Sequence, residues 1–357
     1  MSNVINFGKT VTLKQAAQII LATPMNRYML RGEPGIGKSS IMDYLSAACP
    51  DYWTSYMDVP TMDLGDVAMP MVDREKKITE FAPNSRFMLQ KGGPVIIMLD
   101  EFTKGADPVK NMLHPMLEVK NPRLGDIPID TRSIVFLTGN LSSDGVGDNL
   151  KAHTKAGRVI SLHIAKPDAD QWLEWAVDHN IDPVVMAWVR QFPHCMGSYL
   201  NGDDPNDLDI FNPKKVQDAF VTPRSLERAS HIVRARDQLD QDSVIAALSG
   251  AIGEAAARTM QAFVAYQDQL PTWESIMRSP TTANVPDSPG ACAVMVFGAI
   301  AKMDKNNIDP WMDYVERMEP EWQAAFCINA AKSKTKQAVA FSSKKFADWV
   351  RENEDML

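Results

Sequence analysis

Gly32-Glu33-Pro34-Gly35-Ile36-Gly37-Lys38-Ser39 fits the pattern GxxxxGK[ST] without a gap. It follows a short apolar run, Tyr28-Met29-Leu30, and opens a helical stretch from Lys38 to Ala48, which is the setting such a loop needs. Glycines let backbone N–H groups curl around phosphate oxygens, and the helix behind them adds its positive end. Lys38 is then placed to reach the β- and γ-phosphates, and the Ser39 hydroxyl to bind Mg²⁺. The candidate cradle is Gly32, Glu33, Pro34, Gly35, Ile36, Gly37, Lys38, Ser39 and Ser40.

Downstream, Val95-Ile96-Ile97-Met98-Leu99-Asp100-Glu101 reads as a buried strand that delivers two carboxylates at its carboxyl end. In an open α/β sheet that end is where ligands sit. Asp100 is the candidate metal ligand beside Ser39, and Glu101 the candidate general base that polarises the attacking water. A third run, Ile134-Val135-Phe136-Leu137-Thr138-Gly139-Asn140, places Asn140 at the end of a strand expected between the other two. Its amide is the candidate water-orienting group; a turn or cap is the plainer reading of the same residue.

Further strand-length runs are Tyr52–Met57 and Val159–Ile164, and helical patterns between the runs favour a parallel sheet with helices on both faces. Ahead of the loop, Thr12 and Gln15 fit a capping box, with Leu13, Ala16, Ala17, Ile20 and Leu21 on one helix face and Pro24 as the stop. The fold class expected is α/β: a P-loop αβα sandwich, then a mostly helical region after Pro167.

The 357 residues suffice for two or three domains, and 45% apolar with 23% charged residues excludes a disordered or collagen-like chain. Thirty-seven Lys and Arg against 45 Asp and Glu give a net charge of −8, without the positive field of a general DNA coater. Cys49, Cys195, Cys292 and Cys327 form no CxxC pair and read as ordinary buried thiols. Most of the 21 Met read as core filler. There is no membrane-length apolar run and no secretory signal, so the expected location is cytoplasmic.

Asn201–Pro213 carries four aspartates, but without EF-hand spacing it reads as a solvated loop. Ser279–Gly290 carries three prolines and reads as a linker or long connection. Phe346, Trp349 and Val350 share one face of a last helix. Asn121–Pro128 has the turn residues of a small hairpin, and the lysines of Lys332–Lys345 form the best basic patch, read as a solvated face.

The order of the three phosphate-site elements resembles that of AAA+ ATPases, and further stretches resemble the MoxR-like group, in the form often carried by phages. They are Asp63-Leu64-Gly65-Asp66 with Pro70, Phe81-Ala82-Pro83, Gly92-Gly93-Pro94, His114-Pro115-Met116-Leu117-Glu118, and Thr138-Gly139-Asn140 with Asp144-Gly145 and Gly147. Gly157-Arg158-Val159 resembles the group's arginine-finger region, and Thr222-Pro223-Arg224-Ser225-Leu226-Glu227-Arg228 its second-sensor helix. The resemblance implies ATP and Mg²⁺ as ligands, Arg158 as a finger acting in trans on a neighbouring subunit, and Arg224 as a sensor on a helical lid. It implies an αβα nucleotide-binding domain over 1–166, a lid over 167–262 and a C-terminal helical extension over 263–357. It also implies a homo-oligomer, a hexameric ring, that remodels a protein client, with a von Willebrand A domain protein as the expected type of partner and nucleic acid not expected. The Asn121–Pro128 hairpin and the segment around Leu64–Ile78 would then face a pore or client. A nucleic-acid motor or loader and a slow-turnover nucleotide-gated scaffold are the alternatives.

Overall fold

The apolar runs that follow Tyr28, Trp53, Val95, Ile134 and Ile160 line up as one parallel sheet. A computed structural model describes residues 9–141, 158–203, 210–213, 216–267 and 270–356, and the chain divides into two compact units, Met1–Lys166 and Pro167–Leu357. In the first unit the strands are β1 (Tyr28–Arg31), β2 (Trp53–Asp58), β3 (Ala68–Asp73), β4 (Ile78–Pro83), β5 (Val95–Asp100), β6 (Arg123–Leu124), β7 (Ile127–Pro128), β8 (Ile134–Gly139) and β9 (Ile160–His163). The main sheet has the order β2-β5-β8-β1-β9 with every pair parallel. This is the expected P-loop αβα sandwich, and β8 lies between β5 and β1 as anticipated.

Alternation explains why the inner strands β1, β5 and β8 are almost wholly apolar, whereas the edge strands β2 and β9 carry Thr54, Ser55 and Ser161. Met29, Ile97, Leu99, Val135 and Leu137 enter the core on one face, and Leu30, Ile96, Met98, Ile134 and Phe136 the core on the other. A strand covered on both sides has no position left for a polar residue until it leaves the sheet. Helices α1 (Leu13–Ala22) and α2 (Ile41–Ala48) cover one face through Ala16, Ala17, Ile20, Ile41 and Leu45. Helix α4 (Asp107–Leu113) covers the other through Val109 and Leu113. Each buried Ile, Leu or Val side chain among these contributes roughly 1.5–3 kcal/mol, and each alanine methyl about 0.8 kcal/mol. The Thr12/Gln15 capping box forms reciprocally, at 3.2 and 2.9 Å, and α1 stops at Ala22, two residues before Pro24.

Two expectations change in detail. The helical stretch from Lys38 begins as a 3₁₀ turn, Lys38–Ser40, before α2, because Gly37 enters it in the left-handed region at φ 90°. Between β2 and β5 the crossover is no long helix: it holds the one-turn α3 (Leu64–Val67) and the antiparallel hairpin β3–β4. Pro70 and Pro83 and the strand-like alternation there disfavour a helix. The Asn121–Pro128 segment forms the expected hairpin, β6–β7, turning at Gly125 with φ 54°.

The second unit is helical around one apolar core that joins residues from Ala169 to Phe346. Helix Pro289–Lys302 is buried nearly all round its circumference and forms the centre of the bundle, the sign of an interior helix. The Pro-rich segment before it is a connection inside this unit. Arg317 donates to the carbonyls of Pro280 and Ala283, and the Tyr314 hydroxyl to that of Asn284. Phe346 is buried and Trp349 and Val350 pack against the same core, as their spacing predicts. In the basic patch, Lys336 Nζ donates to the Ala301 carbonyl at 2.8 Å and Lys345 pairs with Asp313.

Among the described residues no helix is long and apolar enough to cross a membrane, and no group of three His, Cys, Asp or Glu could hold a metal. All four cysteines are free thiols; Cys195, Cys292 and Cys327 are buried, whereas Cys49 is only half-buried. Burial raises the Cys292 thiol to about 11. Much of the aspartate-rich loop, at 204–209, lies outside the described residues, as do Asp144, Gly145, Gly147 and Gly157.

Candidate active site

Parallel β5, β8 and β1 all end at one edge of the sheet, so the residues that leave them meet there. β1 passes into the loop at Gly32. Gly35 (φ 75°) and Gly37 (φ 90°) take backbone angles that side chains disfavour. A Cβ on Gly32 would lie 2.9 Å from the Ile164 carbonyl oxygen, so the loop can close over the sheet only with glycine there. Lys38 is buried, and its ammonium donates to Gly32 O, Glu33 O and Asn140 Oδ1, each at 2.9 Å. Its three N–H donors are matched, and a cation stands fixed inside the loop. Ser39 is half-buried on the following turn, while the Ser40 hydroxyl donates to Gly37 O at 2.7 Å.

Asp100 closes β5, which lies on the far side of β8 from β1. The Thr138 hydroxyl donates to its Oδ1, and the Tyr56 hydroxyl donates to Oδ2 at 2.8 Å. Thr138 also accepts from Glu101 N at 3.0 Å. One hydroxyl thus links the two acidic residues to β8. Glu101 sits in the left-handed region at φ 51°, an uncommon state for a residue with a Cβ, and its carboxylate pairs with Lys104 at 2.8 Å. Beside the loop, His163 aligns with Arg31 across β9 and β1. Burial, and then the Arg31 guanidinium, push its imidazole below the usual histidine range, which keeps it neutral at neutral pH.

The structure therefore brings together the cradle Gly32 to Ser40, Asp100, Glu101 and Asn140. Arg158 lies elsewhere. The register pairs Tyr28 with Ile160 and Arg31 with His163, so Arg158 precedes the opposite, amino-terminal end of β9. There its Nε donates to Glu118 Oε1 at 2.7 Å. Arg224 belongs to the second unit, exposed in the first turn of helix Pro223–Arg234, whose N-cap Thr222 and Ser225 form a capping box. Tyr56 escaped the sequence reading because a lone tyrosine carries no motif. Only the parallel register of β2 with β5, Asp58 beside Asp100, shows that it can reach that carboxylate.

The donor chemistry fits a metal–triphosphate. A buried ammonium and a glycine-lined loop suit phosphate oxygens, and the Ser39 hydroxyl with the Asp100 carboxylate supplies the hard oxygen donors that Mg²⁺ selects.

No family model and no curated protein matches the chain. Among solved structures, NtrX from Brucella abortus in complex with ATP is similar over 100% of this chain and 68% of its own, at 12% identity and a TM-score of 0.38. The same protein in complex with ADP covers 96% and 67%, at 12% identity and 0.39. A RuvB variant from Thermotoga maritima covers 76% and 75%, at 13% identity and 0.35. Likenesses this distant carry no argument about activity. The strand order and the loop at the end of β1 carry the fold: a P-loop αβα sandwich, with a helical region after it.

Proposed function

We propose that this chain is a Mg²⁺-dependent ATPase of the AAA+ class, of MoxR-like type, that works as a homo-oligomeric ring on protein partners. One observation carries the reading: Lys38 Nζ bonds the loop carbonyls and Asn140 at once, which ties the phosphate cradle to the strand that flanks Asp100 and Glu101.

In that reading the N–H groups of Gly35 to Ser39 hold the β- and γ-phosphates, and Lys38 exchanges its carbonyl partners for phosphate oxygens. Ser39 and Asp100 hold Mg²⁺, which supplies charge neutralisation at the transferring phosphoryl group. Tyr56 and Thr138 keep the Asp100 carboxylate oriented. Glu101 accepts the proton of the attacking water, and Asn140, released by the shift of Lys38, orients that water.

Arg158 serves a neighbour. Arg158 lies in a turn before β9, whose own length from Ile160 to the carboxyl edge at His163 is about 10 Å, so its side chain stands at the far end of that strand from the phosphates of its own chain. A finger supplied in trans is worth about 10³–10⁵ in rate, so turnover depends on assembly, with a hexamer as the expected ring. Arg224 is assigned to sensing the γ-phosphate from the helical region.

Support for protein partners comes from the β3–β4 hairpin. Its Met69, Met71, Val72, Ile78 and Phe81 are exposed, Val72 by 68% and Met71 by 59%, and Ile127 of the neighbouring hairpin is exposed too. Clustered apolar exposure marks a docking surface more often than a solvated one. A von Willebrand A domain protein is the partner we favour. No specific observation favours the nucleic-acid reading, since Lys336 and Lys345 of the basic patch have protein partners.

The test is nucleotide binding and hydrolysis across protein concentration, with Mg²⁺ present. Rate per subunit should rise with assembly, collapse in Arg158→Ala and stop in Glu101→Gln while that variant still binds ATP. A rate per subunit that stays flat with concentration and survives Arg158→Ala would refute the trans mechanism.

A further inference from the structure

Both residues assigned to the attacking water are engaged by lysines. Asn140 Oδ1 accepts from Lys38 Nζ at 2.9 Å, and Glu101 Oε2 lies 2.8 Å from Lys104 Nζ. The two holds differ in what can release them. Lys38 belongs to the phosphate loop, so an incoming phosphate can draw it off Asn140. Lys104 closes the 3₁₀ turn Phe102–Lys104 after β5 and is no part of that loop. Nucleotide binding therefore frees the first group and leaves the second in place.

The side chains of Lys104 and Glu101 are 37% and 28% exposed, and a pair this open contributes little where the chain around it is loose. Here the backbone is fixed at both ends. Glu101 is held left-handed, with the Thr138 hydroxyl on its N–H. Lys104 N donates to Glu101 O at 2.8 Å, and Phe102 and Thr103 between them are buried. A Cβ on Gly105 would stand 2.5 Å from Val59 Cγ1, so the chain also leaves the turn in close packing. Forming the pair orders only two side chains. Glu101 Oε2 is shut off from solvent and accepts no hydrogen bond among the described residues, so charge attraction alone occupies it. A general base must turn such an oxygen toward the proton of water, and an ammonium at contact distance competes for it. We propose that Lys104 is a positioning residue that holds the Glu101 carboxylate back from the attacking water, before and after ATP binds, and so keeps the turnover of a lone subunit slow. The inference rests on the reading of Glu101 as the base and adds what restrains it.

The test is kcat at saturating ATP and Mg²⁺ in dilute full chain, where no neighbour contributes. Lys104→Met keeps the stem and removes the charge. Its kcat should rise about fivefold, the scale of a partly exposed ion pair, with the KM for ATP unchanged. Lys104→Gln should rise alike, which guards against a folding defect in either variant. Lys104→Arg keeps a cation beside the carboxylate and should stay near the wild-type rate. The rise should vanish in the double variant Lys104→Met with Glu101→Gln, because it acts through the base. An unchanged or lower kcat in Lys104→Met and Lys104→Gln, beside an inactive Glu101→Gln, overturns the restraint and leaves the base assignment standing. Wild-type turnover in Glu101→Gln removes the base assignment, and the restraint falls with it.

Discussion

Glu101 shows what a single residue must tolerate to stand at the carboxyl end of β5. Its left-handed backbone costs an L-residue roughly 1–2 kcal/mol, and the Thr138 hydroxyl on its N–H holds it there. Glycine meets no such cost. Glu101→Gly should therefore be more stable than Glu101→Ala by about 1 kcal/mol in urea unfolding, the reverse of the usual order of those residues, and both should be inactive. Equal stabilities would mean that position 101 is not held left-handed in solution. Lys38 makes a related point: its ammonium is buried but matched by three acceptors. Lys38→Met should keep the fold while removing nucleotide binding, checked by titration with a fluorescent ATP analogue.

Among elements, the two hairpins of the first unit lock together through one turn. Asp126 N donates to Phe81 O at 3.0 Å, and Phe81 N donates to Asp126 Oδ2 at 2.6 Å. A two-stranded ribbon alone is marginal in water, so this clasp steadies β3–β4 with its exposed apolar residues. A Cβ on Gly125 would stand 2.2 Å from the Phe81 carbonyl oxygen, at a positive φ as well. Gly125→Ala should open the clasp, and trypsin should cut at Arg74, Lys76 and Lys77 markedly faster. Gly92→Ala is the control, with positive φ but open space around the new methyl; similar cleavage in both variants would show that strain alone, not the clash, loosens the hairpin. The turn chemistry of β6–β7 is legible in Asn121–Pro128, but its grip on β4 is not, because contacts 45 residues apart leave no local trace.

At the scale of the whole molecule, the helical unit is tied across long sequence distances by Asp178. Its carboxylate accepts from Ser333 Oγ (2.6 Å), Lys334 N (3.0 Å), Thr335 N (3.1 Å) and Thr335 Oγ1 (2.9 Å). Burial by itself would raise this acid, but the four donors outweigh it and hold it below the usual carboxylate range. A depressed folded pKa stabilises at pH above the unfolded value of about 3.9, and that contribution is lost as pH falls through the folded value. Asp178→Asn should cost about 1–3 kcal/mol at neutral pH and flatten the acid limb of stability against pH. Superimposable acid limbs for the two proteins would disprove the assignment.

Sequence alone determined the αβα sandwich, the glycine loop Gly32–Ser40 after β1 and the placing of Asp100 and Glu101 at the end of β5, because each is written in adjacent residues: a glycine pattern, an apolar strand, its acidic end. The same local rules predicted the α1 capping box and the apolar face of the last helix. Only the tertiary structure decided that Asn140 touches Lys38, that Tyr56 and Thr138 hold Asp100, and that Glu118 holds Arg158 at the far edge of the sheet. Those pairings depend on strand order and register, which bring together side chains from 38 to 102 residues apart. No periodicity or motif encodes such distances; parallel packing of buried strands creates them.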